Sequence, residues 1–213
     1  MLTLKYVKKD GACFISHIDL LRHTSRALRR AEIPVKFSQG FNPHALIYFS
    51  PPLGVGISSE AEYMAIDTDM EAAEAFERYN ASVPSSLKAV AVFKTDKNPN
   101  LQGKTVCADY LIDTPYAPLD LSEGLEISYK KKDAIVTENV ADRIYAAFEE
   151  NGKLCVRLAL GNVNLRPDRI LPAINERLKI SVGVTDVKKL RQYIEVDKKA
   201  VEVDEFLKSI SVK

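Results

Sequence analysis

The chain has 213 residues, of which 46% are hydrophobic and 28% are charged. This composition is typical of a globular protein and excludes fibrous, collagen-like and disordered classes. No run of about 18 apolar residues predicts a transmembrane helix, and the N-terminus lacks the apolar stretch of a signal peptide. We therefore expect a cytoplasmic protein with no membrane partner. Three widely spaced cysteines, Cys13, Cys107 and Cys155, exclude a disulfide scaffold, a zinc ribbon and an iron–sulfur ligand set.

The formal net charge of +1 conceals a polarised distribution along the chain. Residues 1–50 hold eight lysines and arginines against three acidic residues, a net charge of +5, and the remainder carries −4. All three histidines also lie in this first segment. The distribution predicts a functional site in the N-terminal part of the chain. A chance asymmetry of a solvated surface is the alternative.

Strand and helix patterns alternate through the first half of the chain. Leu2–Val7 alternates apolar and polar side chains, which predicts a strand. Ser16 followed by Asp19 is a variant of the capping box and predicts the start of a helix, which Pro34 ends. The remaining predicted elements are the strands His44–Ser50, Ala61–Asp67 and Leu87–Thr95 and a helix opening at the capping box Thr68–Glu71. This order is the split βαββαβ, or ferredoxin-like, unit.

A polar segment rich in turn-forming residues, Asp96–Gly103, predicts a linker. We therefore predict two domains, a ferredoxin-like domain over 1–96 and a second α+β domain over 104–213. Val140–Glu150 fits either a helix or a strand, but Asn151-Gly152 favours a hairpin turn. Further predicted elements are the strand Thr105–Asp113, a hairpin across Lys131–Asp133, the helix Pro167–Leu178 with Pro172 inside it, the strand Val184–Val196 and the helix Asp204–Ile210. We interpret this half as α+β and as a candidate degenerate copy of the first unit.

The first predicted helix carries the most informative pattern. Its leucines and alanines recur at helical spacing, and four arginines fall on the opposite face. These arginines are Arg22, Arg26, Arg29 and Arg30. A guanidinium is always charged and its planar fork matches a phosphate, so the face predicts binding of an anionic backbone such as nucleic acid. The alternative is a solvated helix face on which Asp19 neutralises Arg22 and Glu32 neutralises Arg29.

Two histidines lie at the ends of predicted elements, where functional sites collect. His17 begins the first helix and His44 precedes the second strand. Either is a candidate general base, although the two ends of the layer meet only if the loop over 35–43 folds back. The histidines lack HxxxH or HxH spacing, so no metal site is predicted.

Two glycine-containing loops and a pair of acids complete the candidates. Gln39, Gly40, Phe41 and Asn42 are predicted to shape the site, with Phe41 able to stack on a base. Neither this loop nor Gly54–Gly56 matches a P-loop or a dinucleotide fingerprint, so no cofactor is predicted. Glu60 and Glu62, two residues apart in a strand, are expected to share one solvent-facing side.

The first 65 residues resemble a bacterial family called radical SAM-linked, or radical SAM-associated, proteins. The resemblance rests on Phe14–Arg22 (FISHIDLLR), Arg26–Ala31 (RALRRA), Phe37–His44 (FSQGFNPH), Pro52–Gly56 (PLGVG) and Glu60–Tyr63 (EAEY). The chain departs from the family pattern at Ala45, where a proline is usual. Over 100–195 the resemblance thins to a similar order of strands and helices.

This resemblance implies an accessory role beside a radical SAM protein. The chain lacks CxxxCxxC, so it does not hold the radical SAM cluster itself. The family context leans towards RNA, and a weaker resemblance exists to CRISPR repeat-processing endoribonucleases, which combine ferredoxin-like units with a histidine and a basic helix. Three hypotheses follow.

The first hypothesis is an RNA-binding module for tRNA or rRNA, in which Ser16 and Asp19 also shape the site. The second is a metal-independent endoribonuclease using His17 or His44. The third is a subunit that docks on a protein without nucleic acid. We favour the first, because the motifs surround a basic helix without a recognisable catalytic set.

Overall fold

The structure, a computed structural model, describes residues 1–131 and 134–212. It is an α+β fold in which helices cover both faces of part of a nine-stranded, mostly antiparallel sheet. The strands are β1 (Leu2–Lys8), β2 (Ile47–Phe49), β3 (Ser58–Ile66), β4 (Ala89–Lys94), β5 (Thr105–Pro115), β6 (Glu126–Lys131), β7 (Ala134–Asn139), β8 (Ile144–Glu150), β9 (Lys153–Ala159), β10 (Val187–Val196) and β11 (Lys199–Glu202). The helices are α1 (His17–Arg30), α2 (Ala72–Ser82), α3 (Leu101–Lys104), α4 (Pro167–Leu178) and α5 (Val203–Ile210).

The first unit of the sheet has the predicted ferredoxin-like topology. Its strand order is β4-β1-β3-β2, and each neighbouring pair is antiparallel. Alternation along β1 turns Leu2, Leu4 and Tyr6 towards α1 and α2, with which they form one hydrophobic cluster. Burial of this cluster fixes α1 on the sheet and leaves its opposite face outside.

The second unit repeats the same strand order, but a β-hairpin takes the place of its first helix. The strands run β10-β5-β9-β8, all antiparallel, and α4 packs over the core that they share. The hairpin β6–β7 stands in the chain where the first helix of a ferredoxin-like unit would lie, and it contacts α4. Asn151 and Gly152 both have positive φ, 53° and 76°, as a tight β8–β9 hairpin requires, so the predicted hairpin is confirmed.

The two units join edge to edge into one sheet. A short parallel pairing connects Ser58 and Ser59 of β3 with Lys188 and Lys189 of β10. On the face opposite α1, the helix α5 covers the first unit, and Asp204 accepts hydrogen bonds from Tyr63 (2.8 Å) and Lys5 (2.6 Å). The C-terminal helix therefore packs on the N-terminal unit. The two-domain division at 96–104 stays a prediction.

One of three further local expectations is wrong, and two are confirmed. The predicted capping box at Thr68–Glu71 is wrong, because the Thr68 hydroxyl accepts from the Met70 amide (3.2 Å) and α2 begins only at Ala72. The helix α4 starts with Pro167 at its first turn and continues through Pro172. The predicted hairpin is confirmed by the antiparallel pairing of β6 and β7 up to Lys131 opposite Ala134, and residues 132–133 of its turn lie outside the described ranges.

In the part of the chain that the structure describes, no helix is both long enough and apolar enough to cross a membrane.

Candidate nucleic-acid interface

The orientation of α1 follows from its cap and its apolar stripe. The Ser16 hydroxyl accepts the Asp19 amide at 3.2 Å and also contacts the Asp19 carboxylate at 2.7 Å, which confirms the predicted helix start. The inner face buries Leu20, Thr24, Ala27 and Leu28. Since the arginines lie on the other side of the helix, this packing leaves all four of them exposed.

The four arginines differ in their partners. Arg22 lies 3.5 Å from Asp19, in an exposed pair, and Arg30 donates to the Ser82 carbonyl at 2.9 Å. Arg26 and Arg29 form no ion pair with any described residue.

The acid expected to neutralise Arg29 is engaged elsewhere. Glu32 lies 3.7 Å from Arg78 of α2 instead. The solvated-face interpretation therefore holds for Arg22 with Asp19 and is wrong for the pairing of Glu32 with Arg29. Three guanidinium groups on the outer face of α1 have no acidic partner among the described residues, and two of them, Arg26 and Arg29, have no hydrogen-bond partner there either.

A closed loop lies beside this helix. Phe37 and Ala45 form an antiparallel bridge, and the Ser38 amide donates to the His44 carbonyl at 2.9 Å. Gln39, Gly40, Phe41 and Asn42 form the loop's tip. The Phe41 side chain is fully exposed, at 111% of its reference area, and Gly40 has a φ of +125° that favours glycine.

Exposed apolar side chains extend the surface around α1 and the loop. Phe37 is 53% exposed, and Ile18 and Leu21 project from α1 itself. Tyr48 is also exposed, but it alternates with Ile47 and Phe49, which pack on the α1 side, so its ring lies on the opposite face of the sheet. Sequence reasoning missed Phe37, although its position beside a Gly- and Pro-punctuated loop was a usable signal. Exposed aromatic rings next to unpaired arginines are the two ingredients of a surface for single-stranded nucleic acid.

The two candidate histidines lie in separate cavities. His17 stacks edge-on against Phe49, with ring centroids 5.4 Å apart, and lines a small cavity together with Lys8 and Glu62. His44 lines a different groove beside the second half of α1. Within the described residues, no cavity brings the two imidazoles together, so the loop does not make them one site.

A buried ionic cluster lies beneath His17. Lys189 Nζ is 2.6 Å from Glu62 Oε1, and both side chains are almost fully buried. Lys8 is also buried and donates to the Ile15 carbonyl at 3.2 Å. Burial lowers the pKa of Lys8, and the Glu62 carboxylate opposes that shift. Sequence reasoning missed both lysines, although Lys8 continues the inward alternation of β1.

The expectation that Glu60 and Glu62 share a solvent-facing side is wrong. Glu62 is 3% exposed, whereas Glu60 is exposed and pairs with Lys188 at 2.9 Å. The pairing of β1 with β3 shifts by one residue between Glu62 and Ser59, so a bulge interrupts the alternation between the two acids.

The second glycine loop has a structural role. The Gly56 amide donates to the Cys13 carbonyl at 2.9 Å, and its φ of +91° together with a close approach to Val184 explains the glycine. All three cysteines are buried and free, and burial raises the pKa of Cys107 to about 11. Among residues 1–131 and 134–212, no group of three or more His, Cys, Asp and Glu side chains is arranged to hold a metal ion.

Comparison with known proteins gives a match to one family. A family model described as an uncharacterized protein conserved in bacteria (DUF2344) matches residues 1–156. The matched span contains α1, the closed loop, and Glu62 and Lys8 of the buried ionic cluster, whereas Lys189 lies outside it. No curated protein matches the chain.

Proposed function

We propose that this chain, which belongs to the DUF2344 family of uncharacterized proteins conserved in bacteria, is an RNA-binding module that uses the outer face of α1. The observation that carries the proposal is the pair of exposed guanidinium groups, Arg26 and Arg29, which have no ion-pair partner among the described residues. Guanidinium groups without a protein counter-charge are available to phosphates.

The aromatic side chains around the arginines favour RNA over other anions. Phe37 and Phe41 present exposed rings that a simple anion would not use. Bases stack on such rings, whereas the phosphates of the same strand contact the arginines. A structured RNA with unpaired nucleotides, such as a tRNA or an rRNA segment, offers both groups together.

The proposal includes a partner enzyme and a compartment. The motifs around His17 and over Phe37–His44 resemble those of radical SAM-linked proteins, so we place the bound RNA as a substrate presented to a radical SAM protein in the cytoplasm. The partner would supply the cluster, since this chain has no CxxxCxxC.

The test of RNA binding is the salt dependence of affinity for bulk tRNA, measured by fluorescence anisotropy. Replacing Arg26 and Arg29 by alanine is expected to weaken binding about tenfold or more at low salt. It should also reduce the slope of log K against log salt by about 1.5, because two phosphate contacts are lost. The matched control is Arg169→Ala with Arg177→Ala, which removes the same charge from the exposed face of α4 in the second unit.

Two results would overturn the proposal. Affinity that does not change with salt would exclude a phosphate-driven interface. Equal losses in the α1 and α4 variants would show a non-specific effect of net charge. Capture of a protein partner that survives nuclease treatment, with no RNA bound, would favour the docking hypothesis instead.

A second candidate function is a metal-independent endoribonuclease. The placement of His17 beside Lys8 and Glu62 at a cavity of about 10 Å³ favours it, because a space of this size holds one water molecule that can relay a proton to or from the imidazole. The expected result is RNA cleavage in EDTA that His17→Ala abolishes and His44→Ala leaves intact. An intact RNA pool after incubation with the folded protein would contradict this function.

A further inference from the structure

A groove of about 370 Å³ separates α1 from the closed loop. Apolar side chains and polar groups share its walls, and they come from both sides. The lining residues are Ser25, Leu28 and Arg29 of α1 and Ile33, Pro34, Val35, Phe37, Pro43, His44, Ala45 and Ile47 of the following segment. Small-molecule sites begin at about 300 Å³, so the groove is large enough for one flat heterocycle.

Three polar groups interrupt the apolar lining. Ser25 and Arg29 lie one helical turn apart on the flank of α1 that faces the groove. The Ser25 hydroxyl makes no hydrogen bond with any described residue. Arg29 therefore belongs both to the arginine face and to the rim of the groove, which places a phosphate-binding group at its entrance.

His44 is held in a defined orientation by Ser38. The Ser38 hydroxyl accepts from the His44 backbone amide at 3.1 Å and lies 2.9 Å from His44 Nδ1. In the tautomer that carries its proton on Nε2, Nδ1 accepts from the Ser38 hydroxyl, and Nε2 is a donor for an acceptor in the groove.

We infer that the groove between α1 and the closed loop binds one unpaired nucleobase of the RNA. An apolar slot with a few polar groups suits a base, and an adjoining arginine suits its phosphate. A base inside a helix is stacked and paired, so only an unpaired or splayed base can enter. Phe41, exposed at the loop's tip, offers a stacking surface for a neighbouring base. This inference rests on the proposed RNA binding and specifies its substrate class.

The experiment compares a single-stranded 12-nucleotide RNA with a 12-base-pair duplex of the same sequence. Fluorescence anisotropy measures both affinities at one salt concentration. The wild-type protein is expected to bind the single strand at least about tenfold more tightly, the effect of one stacked base. Ser25→Phe fills the groove and leaves every arginine in place, so it should remove most of this preference without weakening duplex binding.

Two controls keep the result interpretable. Ala73→Phe adds the same ring at an exposed position of α2, outside the groove, and should behave like the wild type. If thermal melting shows that Ser25→Phe does not fold, Phe37→Ala replaces it, since it removes an exposed wall of the groove. Its expected effect is the same loss of preference for the single strand.

The outcomes separate this inference from RNA binding itself. Equal affinity for single strand and duplex, or an unchanged preference in Ser25→Phe, would overturn the base-binding groove while leaving the arginine interface in place. Failure of both RNA forms to bind would overturn the proposed function. Displacement of the RNA by adenosine or uridine monophosphate at matched concentration would show that the groove serves free nucleotides and would also overturn the inference.

Discussion

The arginines of α1 and those of the second unit's sheet carry the same group in opposite surroundings. In the second unit, the buried Asp109 carboxylate accepts from Arg157 Nε at 2.7 Å and from Arg191 Nε at 3.0 Å. Tyr193 also donates to it, at 2.7 Å. Burial alone would raise the pKa of Asp109, but these hydrogen bonds hold it below its ordinary value.

On α1 no buried acid serves the same purpose. Asp19 is exposed and only approaches Arg22, and Arg26 and Arg29 have no acidic partner among the described residues. The number of arginines in a segment therefore does not identify a ligand site. Arginines without a buried counter-charge retain their hydrogen-bonding capacity for an external anion, and the proposed interface depends on this difference.

Removing the acid of the sheet network should have the largest effect. Asp109→Asn leaves Arg157 and Arg191 without their shared counter-charge, so the free energy of unfolding should fall by about 4 kcal/mol. Urea denaturation measures the loss. Asp113→Asn is the matched control on the same strand, since Asp113 is exposed and its pair with Lys153 should be worth less than about 1 kcal/mol.

One outcome would contradict the contrast between the two sets of arginines. If both aspartate variants lose a similar, small stability, the sheet arginines are not structural. They would then be as available to a ligand as those of α1.

The second-largest expected loss of stability comes from the ion pair at the junction between the two units. Glu62→Gln leaves the buried Lys189 without its ion pair, and the free energy of unfolding should fall by about 3 kcal/mol. Glu60→Gln, two residues away, breaks an exposed pair with Lys188 and should cost less than about 1 kcal/mol. Replacing Glu62 and Lys189 together by Leu and Met should restore part of the loss; no restoration would contradict a purely ionic cause.

Much of the fold is predictable because its signals are local. Alternation in β1, the Ser16 cap and the Asn151-Gly152 turn each act within a few residues, and each forms as expected. The start of α2 was not predictable from the capping box alone. The Thr68 hydroxyl could accept a hydrogen bond either from the first turn of a helix or from the Met70 amide. In the structure it accepts from Met70 and therefore does not cap α2.

The arginine face was predictable for the same reason, since helical spacing alone sets it opposite the leucines. The partners of Glu62 were not, because Lys189 is distant in the chain and a bulge in β3 reverses the expected side. The groove also escaped prediction. It depends on the closure of a loop by Ser38 and His44, which no periodicity encodes.

The smallest expected effect is a pH dependence at the edge of the arginine face. His23 is half-buried, and burial, then Arg30 and Arg26, lower its pKa. The unfolded chain binds a proton as pH falls through about 6.5, whereas the folded histidine binds its proton only at lower pH. The free energy of unfolding should therefore decrease as pH falls below about 6.5. Between pH 7.5 and 5.5, the melting temperature of the His23→Gln variant should decrease less than that of the wild type.

The same histidine can report on the proposed interface. RNA phosphates that neutralise Arg26 would remove part of the repulsion, so the His23 pKa, followed by NMR titration, should rise when RNA binds. An anion bound elsewhere would leave this pKa unchanged, and so would RNA that contacts only the second unit. A His23 pKa that stays constant while RNA is fully bound would therefore place the RNA away from the arginines of α1, even if affinity depends on salt.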